Sequence, residues 1–503
     1  MPLNILALDI GAESGRAILG RLNDGRLELK EVHRFPNGPV RLPTGLHWDA
    51  LGLFNEIKTG LHLANEEIAS ERPAGRRRAV KLASIGLDTW GVDFGLLDAR
   101  GELLGDPYHY RDVRTDGMVE KAWSMAGRDT IFEATGIQFM QLNTLYQLLA
   151  LKRAKSPALK VARTLLTMPD LFNYWLTGKK VSEFSIATTT QCYDPRAHDW
   201  AFSLLEQLGI PGQIFPEVVP PGTVLGGLLP WVAEETGLKG VKVIAPACHD
   251  TGSAVAAVPA AGQGFAYLSS GTWSLLGAEL TEPVINAETL ALNVTNEGGV
   301  GGTIRFLKNI IGLWIVQQCR HTWRMQGEDL SYDDITRMAA EAEPFRSLID
   351  PDWPEFLPHG DMPARIIEFC RRSGQPIPET KGQFVRCALE SLALKYRKTL
   401  ESLEGVLGHR LDPLHIVGGG TKNKLLNQFA ANATARPVIA GPVEATAIGN
   451  ILVQAVALGE LSSLDEARAV VRTSFEVTRY EPEETDRWAE AYARWSALHE
   501  VHP

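Results

Sequence analysis

The chain has 503 residues, enough for about three ordinary domains or two large ones, so burial alone can hold the fold without disulfide or metal staples. Apolar residues make up 45% and charged residues 22%, and 50 basic against 60 acidic residues give a net charge of −10. That sign argues against bulk attraction to nucleic acid or an anionic membrane, yet it permits a phosphate held locally by backbone N–H groups.

In chain order, Leu3–Ile10 reads as a buried strand, 11–15 as a tip of small and polar residues, and Arg16–Leu22 as a return strand. A third strand, Leu27–Phe35, leads into Pro- and Gly-rich loops. Apolar residues at three- and four-residue spacings predict a helix over about 49–69. Lys81–Asp88 is the next strand, closed by Thr89-Trp-Gly-Val-Asp93. Helices are expected over 143–154 and 165–177, the latter stopped by Gly178. Proline and glycine clusters at 211–222 mark a junction, and Val241–Pro246 is a strand ending at Ala247-Cys-His-Asp250.

The pattern then restarts. Gly264–Ser270, the tip Gly271-Thr272 and Trp273–Ala278 repeat the shape of the first hairpin 260 residues later, with hardly any identity. A long helix over 381–407, a strand Leu414–Val417, Gly418-Gly-Gly420, a helix near 423–432 and an amphipathic tail helix over 483–500 complete the chain. Strands followed by helices make it an α/β protein. The basic run Arg76-Arg-Arg78 is expected to be a solvated loop.

Several readings are excluded. The opening apolar run stops at Asp9 and has no basic leader, so a signal peptide is not expected. The uncharged stretch Thr251–Ala278 carries glycines, Pro259 and hydroxyls, so it reads as strands and turns, not a membrane span. The five cysteines (Cys192, Cys248, Cys319, Cys370, Cys387) form no CxxC and indicate neither a disulfide framework nor a zinc site. Asn293-Val-Thr and Asn432-Ala-Thr are read as chance glycosylation tripeptides, and the expected location is cytoplasmic. GxxxxGK[ST] and GxGxxG are both absent.

Four segments can carry chemistry. Ser14, Gly15 and Arg16 in the first tip are natural anion contacts, with a bare solvent-exposed hairpin as the bland alternative. Asp9, ending the preceding strand, can hold a metal ion's water shell. Asp250 can serve as a general base and His249 can orient a second hydroxyl, against an N-cap aspartate and a satisfied buried histidine. Gly418-Gly-Gly420 lets a base or ribose lie against bare backbone, or is simply a turn. In Asp88-Thr-Trp-Gly-Val-Asp93, Trp90 between two carboxylates suits a polyol, or is an ordinary core tryptophan with turn acids.

These segments, in this order, resemble the FGGY carbohydrate kinases of the actin/hexokinase/Hsp70-like ATPase superfamily, and within them the rhamnulokinases. The resemblance rests on Asp9-Ile-Gly-Ala-Glu-Ser-Gly-Arg16, Ile85-Gly-Leu-Asp-Thr-Trp-Gly-Val-Asp-Phe94 and Gly136-Ile-Gln-Phe-Met-Gln-Leu-Asn-Thr-Leu-Tyr-Gln147. It continues through Met168-Pro-Asp170 to Leu176-Thr-Gly178, His249-Asp-Thr251 and Tyr267-Leu-Ser-Ser-Gly-Thr-Trp-Ser274. The remainder is Thr295-Asn-Glu-Gly-Gly299, Leu307-Lys-Asn-Ile-Ile-Gly-Leu-Trp314, Leu414-His-Ile-Val-Gly-Gly-Gly420 and Ala440-Gly-Pro-Val-Glu-Ala-Thr446.

The resemblance implies two RNase H-like domains flanking a catalytic cleft, set at 1–245 and 246–503. It implies ATP with Mg²⁺, the latter near Asp9 through water, and phosphorylation of the C1 hydroxyl of a ketose, expected to be L-rhamnulose. Asp250 would be the base. Sugar contacts would fall on Gly91, His249, Asp250, Thr251 and Asn309, with Trp90 and Asp93 shaping the pocket. Nucleotide contacts would fall on Ala12, Glu13, Ser14, Gly15, Arg16, Thr272, Gln317, Gly419 and Gly420. Asn309 and Gln317, eight residues apart, are expected two turns along one helix face. Glu13 departs from the family's small residue in the phosphate tip and is expected to point away or act through Mg²⁺. Cys370 and Cys387 match a cysteine pair of some relatives and are expected as free thiols. A kinase for L-fuculose or D-xylulose, and a non-catalytic nucleotide-dependent sugar sensor on the same fold, are the alternatives. Monomer and homodimer both stay open.

Overall fold

Seven of the eight residues of the strand Leu3–Ile10 are buried, because its mainly aliphatic side chains fill both faces of a strand with strands on either side. A computed structural model describes residues 2–70 and 81–501; Arg76, Arg77 and Arg78 lie outside the described residues. By internal contacts the chain divides into two units, each mixed α/β. One comprises Met1–Ala261, Glu279–Phe306 and Ala445–Phe475, and the other Gly262–Ala278, Leu307–Glu444 and Glu476–Pro503. The first unit thus holds 246–261, including His249 and Asp250, which the sequence reading places in the second half.

In the first unit a six-stranded sheet runs in the order Thr223–Gly227, Lys242–Ala245, Leu82–Thr89, Leu3–Ile10, Ser14–Asn23, Arg26–Pro36. Leu3–Ile10 pairs antiparallel with Ser14–Asn23 and parallel with Leu82–Thr89. This register sets Asp9 opposite Arg16 on one side and opposite Asp88 on the other, so all three side chains project from one face. Leu6, Leu8 and Ile10, on the alternate face, join a core with Ile57 and Leu61 of the helix Ala50–Ser70.

The helix Ala445–Ala457 returns to this sheet from far along the chain. Its Asn450 Nδ2 donates to Asp88 Oδ2 at 2.5 Å, and Gln454 accepts from Ser84 Oγ at 2.7 Å. It also packs on the short helix Asp250–Ala256, where a Cβ at Gly449 would come within 1.8 Å of the Ser253 carbonyl oxygen. Gly449→Ala must therefore push the two helices apart, at a cost of about 3 kcal/mol. We expect a melting temperature lower by several degrees and reduced turnover, since Asp250 heads the displaced helix. An unchanged melting curve refutes that packing argument.

The second unit rests on most of the strands Ile304–Ile311 and Trp273–Leu280 and on Ala266–Ser270, Leu414–Val417, Val438–Ala440 and Thr478–Tyr480, side by side in that order within a seven-stranded sheet. Ala266–Ser270 and Trp273–Leu280 form the second antiparallel hairpin, and Leu414–Val417 runs parallel to Ala266–Ser270. The long helix spans Lys381–Leu407, and the tail helix Thr485–Val501 buries Trp488 and Trp495.

Three expectations are corrected. Residues 164–167 form a strand before the helix Met168–Thr177 begins, because Pro169 fits only the first turn of a helix. The stretch 251–278 is not strands and turns alone: the short helix that the sequence places at 253–258 is present and begins earlier, spanning Asp250–Ala256. Asn309 and Gln317 do not share a helix: Asn309 is on the strand Ile304–Ile311 and Gln317 on the helix Trp314–Met325. Gly312 separates them where a Cβ would strike Ser274 Oγ at 2.7 Å. All five cysteines are free and buried, and no described helix is long and apolar enough to cross a membrane.

Candidate functional site

Asp250 opens its helix with His249 at the cap. Its Oδ1 accepts from the Thr251 backbone N–H at 2.5 Å and from Thr251 Oγ1 at 3.1 Å. Its Oδ2 has no hydrogen bond among the described residues, and the side chain is 31% exposed. One oxygen is thus tied down while the other is open, the state a proton acceptor requires.

The backbone leading into Asp250 is anchored from below. Glu183 caps the helix Phe184–Thr189 and accepts the Cys248 N–H at 2.9 Å, and Ser185 Oγ accepts the His249 N–H at 3.1 Å. Thr89 N–H donates to the Cys248 carbonyl at 2.9 Å, so this segment runs on beside Leu82–Thr89. Burial holds the Glu183 carboxyl above its ordinary range, against the opposing hydrogen bond from Ser185.

His249 Nε2 faces Gly91 and is 3.5 Å from Asp250 Oδ1. A Cβ at Gly91 would lie 3.4 Å from both His249 Nε2 and Thr189 Oγ1, so the glycine leaves open the space in front of the ring. On the other side of the ring, Arg305 Nη2 is 3.1 Å from Nδ1 and Glu297 Oε2 is 3.4 Å from it.

Trp90 packs against Trp48 with ring centroids 4.1 Å apart and the planes tilted by 37°. Asp93 is fully buried between them, accepting from Trp48 Nε1 at 2.6 Å, Trp90 Nε1 at 3.0 Å, Tyr110 N–H at 3.2 Å and Gln147 Nε2 at 2.8 Å. Burial pushes its carboxyl up to about 6, against the pull of these donors. With no exposed face, Asp93 cannot take a hydroxyl itself; it shapes the surroundings through the two indoles. Only 5% of Trp90 is exposed.

At the first tip, Gly11 N–H closes the turn on the Ser14 carbonyl at 3.0 Å, and Asn37 braces it by donating to the Gly11 and Glu13 carbonyls. Glu13 is exposed and Ala12 packs partly buried against the core. Gly15 is required because a Cβ would sit 2.2 Å from the Phe35 ring. Arg16 Nη2 pairs with Asp9 Oδ2 at 2.5 Å. Beside them, Asp88 is fully buried and its carboxyl is raised well above the usual range, first by burial and then by the charge of Asp9, with Asn450 opposing. No group of three or more His, Cys, Asp or Glu among the described residues could cage a metal. A lone carboxylate such as Asp9, already paired with Arg16, fits a Mg²⁺ brought in by phosphates through water.

In the second unit the tip carbonyls cap the helix Trp314–Met325: Thr272 accepts from Gly312 and Trp314 N–H and Gly271 from Leu313 N–H, at 3.0–3.1 Å. Gln317 on that helix keeps its Oε1 buried without a hydrogen-bond partner, an acceptor suited to an amino group. Gly418 has φ 87°, and Gly419 is open, with nothing within 4 Å of where a Cβ would be. Gly420 instead packs 2.0 Å from Ser270 Oγ by the same measure, so its role is packing. Lys308, next to Asn309, is brought down to about 8 by burial, despite Asp352 and Asp350 nearby.

The structure therefore gathers Asp9, Arg16, Gly91, His249, Asp250 and Thr251 in the first unit, with Trp90 and Asp93 behind them. Thr272, Asn309, Gln317, Gly419 and Gly420 belong to the second. Sequence reasoning missed Asp88 as a buried carboxyl and missed Glu183, Glu297 and Arg305. For the last two, charges on an apolar strand pattern were the available sign.

The model for the N-terminal domain of the FGGY family of carbohydrate kinases matches residues 4–257, and that for the C-terminal domain matches 266–458. A rhamnulokinase of Bacteroides thetaiotaomicron is 47% identical over 492 residues, covering 98% of each chain. One of Oceanobacillus iheyensis is 40% identical over 475 residues, covering 94% of this chain and 97% of that one. Among solved structures, a gluconate kinase of Lactobacillus acidophilus superposes with a TM-score of 0.80 at 17% identity, covering 100% and 98%. A Plasmodium falciparum glycerol kinase with ADP gives 0.78 at 15%, covering 100% and 99%.

Proposed function

Since the chain belongs to the FGGY family of carbohydrate kinases, we propose that it transfers the γ-phosphoryl group of ATP to the C1 hydroxyl of L-rhamnulose. The products are ADP and L-rhamnulose 1-phosphate. The observation that carries the chemistry is the open Oδ2 of Asp250, on a carboxylate whose other oxygen is fixed by Thr251. The choice of ketose draws on the relatives named rhamnulokinase.

In this reading Asp250 Oδ2 accepts the C1 hydroxyl proton as the oxygen–phosphorus bond forms and the bond to the β-phosphate oxygen breaks. His249 and Asn309 orient further hydroxyls, and Gly91 leaves room for the sugar. Backbone N–H groups of the tip 11–15, Ser14 Oγ and Arg16 hold phosphate oxygens. Thr272, Gln317 and Gly419 take the rest of the nucleotide. Mg²⁺, when bound, offsets phosphate charge, with Asp9 holding its water shell. A two-domain organisation and a cytoplasmic location complete the proposal.

A coupled ADP-release assay over a ketose panel tests it. L-Rhamnulose should rank first by kcat/KM. A faster rate with L-fuculose or D-xylulose would overturn the substrate while leaving the kinase class standing, and no turnover with any ketose would overturn both.

A further inference from the structure

Arg305 has a side chain with no exposed surface, and a guanidinium stays charged even when buried. Enclosing such a charge is unfavourable unless it is paired and hydrogen-bonded, so an apolar residue would serve packing alone better. Nε and Nη2 are hydrogen-bonded, and Nη1 is ion-paired without a hydrogen bond. Nε donates to the Gly298 carbonyl at 2.8 Å, Nη1 is 3.2 Å from Glu297 Oε2, and Nη2 is 3.1 Å from His249 Nδ1.

A guanidinium has no lone pair to offer and can only donate. The Nδ1 that it faces must therefore accept, and a neutral imidazole whose Nδ1 accepts carries its proton on Nε2. Nε2 is the ring atom that faces Gly91, 3.4 Å from where a Cβ would stand. We infer that Arg305 is a positioning residue that fixes His249 as the neutral Nε2–H tautomer and aims that N–H at a sugar oxygen beside the hydroxyl that Asp250 deprotonates.

Glu297 gives the arrangement its need for an arginine. Its carboxylate, 3.4 Å from Nδ1, would by itself draw a proton onto that nitrogen; the Arg305 guanidinium, ion-paired with the same oxygen at 3.2 Å and only 3.1 Å from Nδ1, opposes it. The other groups around the ring are the Asp250 carboxylate, Gly91 and the Thr189 hydroxyl, with Ser185 on the His249 backbone N–H. Neutrality matters to the chemistry. An imidazolium 3.5 Å from Asp250 Oδ1 would stabilise the carboxylate and weaken it as a base.

The kinetic part of this inference rests on the proposed kinase activity; the tautomer does not. The test uses the full chain with ¹⁵N-labelled histidine, His249 being assigned by its loss in His249→Gln. The wild type should show the Nε2–H pattern around neutral pH, and Arg305→Met should move it to Nδ1–H or to imidazolium. Arg305→Met should raise KM for the ketose about tenfold and change kcat less. Arg305→Lys should restore part of the loss. In a His249→Gln background, Arg305→Met should change kcat/KM less than about twofold, because the residue through which it acts is gone. Arg305→Met/Glu297→Gln removes both buried charges and guards against simple unfolding. A wild-type spectrum showing Nδ1–H or imidazolium at neutral pH overturns the inference, and so does an equal Arg305→Met loss with and without His249. If the wild type turns over no ketose, the kinase reading falls and the spectrum alone decides the tautomer.

Discussion

Asp250→Asn should lower kcat by about 10³-fold, within the range that positioned general bases supply, and leave nucleotide affinity within about twofold. The substitution is nearly isosteric. The amide oxygen can still accept from the Thr251 N–H and hydroxyl, as Oδ1 does now at 2.5 and 3.1 Å, so the helix Asp250–Ala256 keeps its first turn. What is lost is the second oxygen: an amide NH₂ stands where Oδ2 is open, and it donates where the reaction needs an acceptor. The segment is also held independently by Glu183 and Ser185 on the backbone N–H groups of Cys248 and His249, so the variant should fold. Turnover by coupled assay and calorimetric titration of a non-hydrolysable ATP analogue separate the two effects. A variant retaining more than about a tenth of wild-type turnover removes Asp250 as the base. Equal losses in turnover and in nucleotide binding would instead point to a displaced site.

Both hairpins, the helix Lys381–Leu407 and the strand Leu414–Val417 were legible because local patterning decides them. An apolar run broken by small residues has few other ways to fold, and a long 3.6-residue period closed by Gly408 reads as one helix. Asp250 was legible for a similar reason, as a lone acid between a buried strand and a run of small residues. The misplacement of Asn309 has a physical cause. Leu307–Leu313 carries no period that separates helix from buried strand, and only the close approach of Gly312 to Ser274 shows where the chain turns. Least legible were the long-range polar pairs. Asn450 and Asp88 are 362 residues apart, and Arg305 and His249 are 56 apart; no local pattern encodes such a meeting. Asp93 shows a subtler limit. Its acid-aromatic neighbourhood suggested a hydroxyl acceptor, yet the donors that it satisfies are indoles, an amide and a backbone N–H of the protein itself.

That occupancy makes Asp93 a site of large expected stability effect in the first unit. Asp93→Ala would strand two indole N–H groups and the Tyr110 N–H around a fully buried position, and unsatisfied buried donors cost about 1–3 kcal/mol each. Even with relaxation, a loss of more than about 4 kcal/mol is expected, enough to unfold many domains. Asp93→Asn separates charge from hydrogen bonding, and its signature is a pH dependence. Burial raises the carboxyl from 3.8 unfolded to about 6 folded, so the folded state holds the proton more tightly. The contribution of Asp93 to stability is then fully present below pH 3.8 and is lost as pH rises through about 6. A shift of about two units corresponds to about 3 kcal/mol. Asp170, raised by burial to about 7, slopes the same way, so the comparison must be between wild type and Asp93→Asn under identical conditions. Asparagine has no charge to gain. Its melting temperature relative to wild type should therefore rise by about 5 °C between pH 4 and pH 7. Parallel curves over that interval would mean that Asp93 already carries its charge without penalty, held by the two tryptophans, and that the carboxylate rather than the carboxylic acid organises this core.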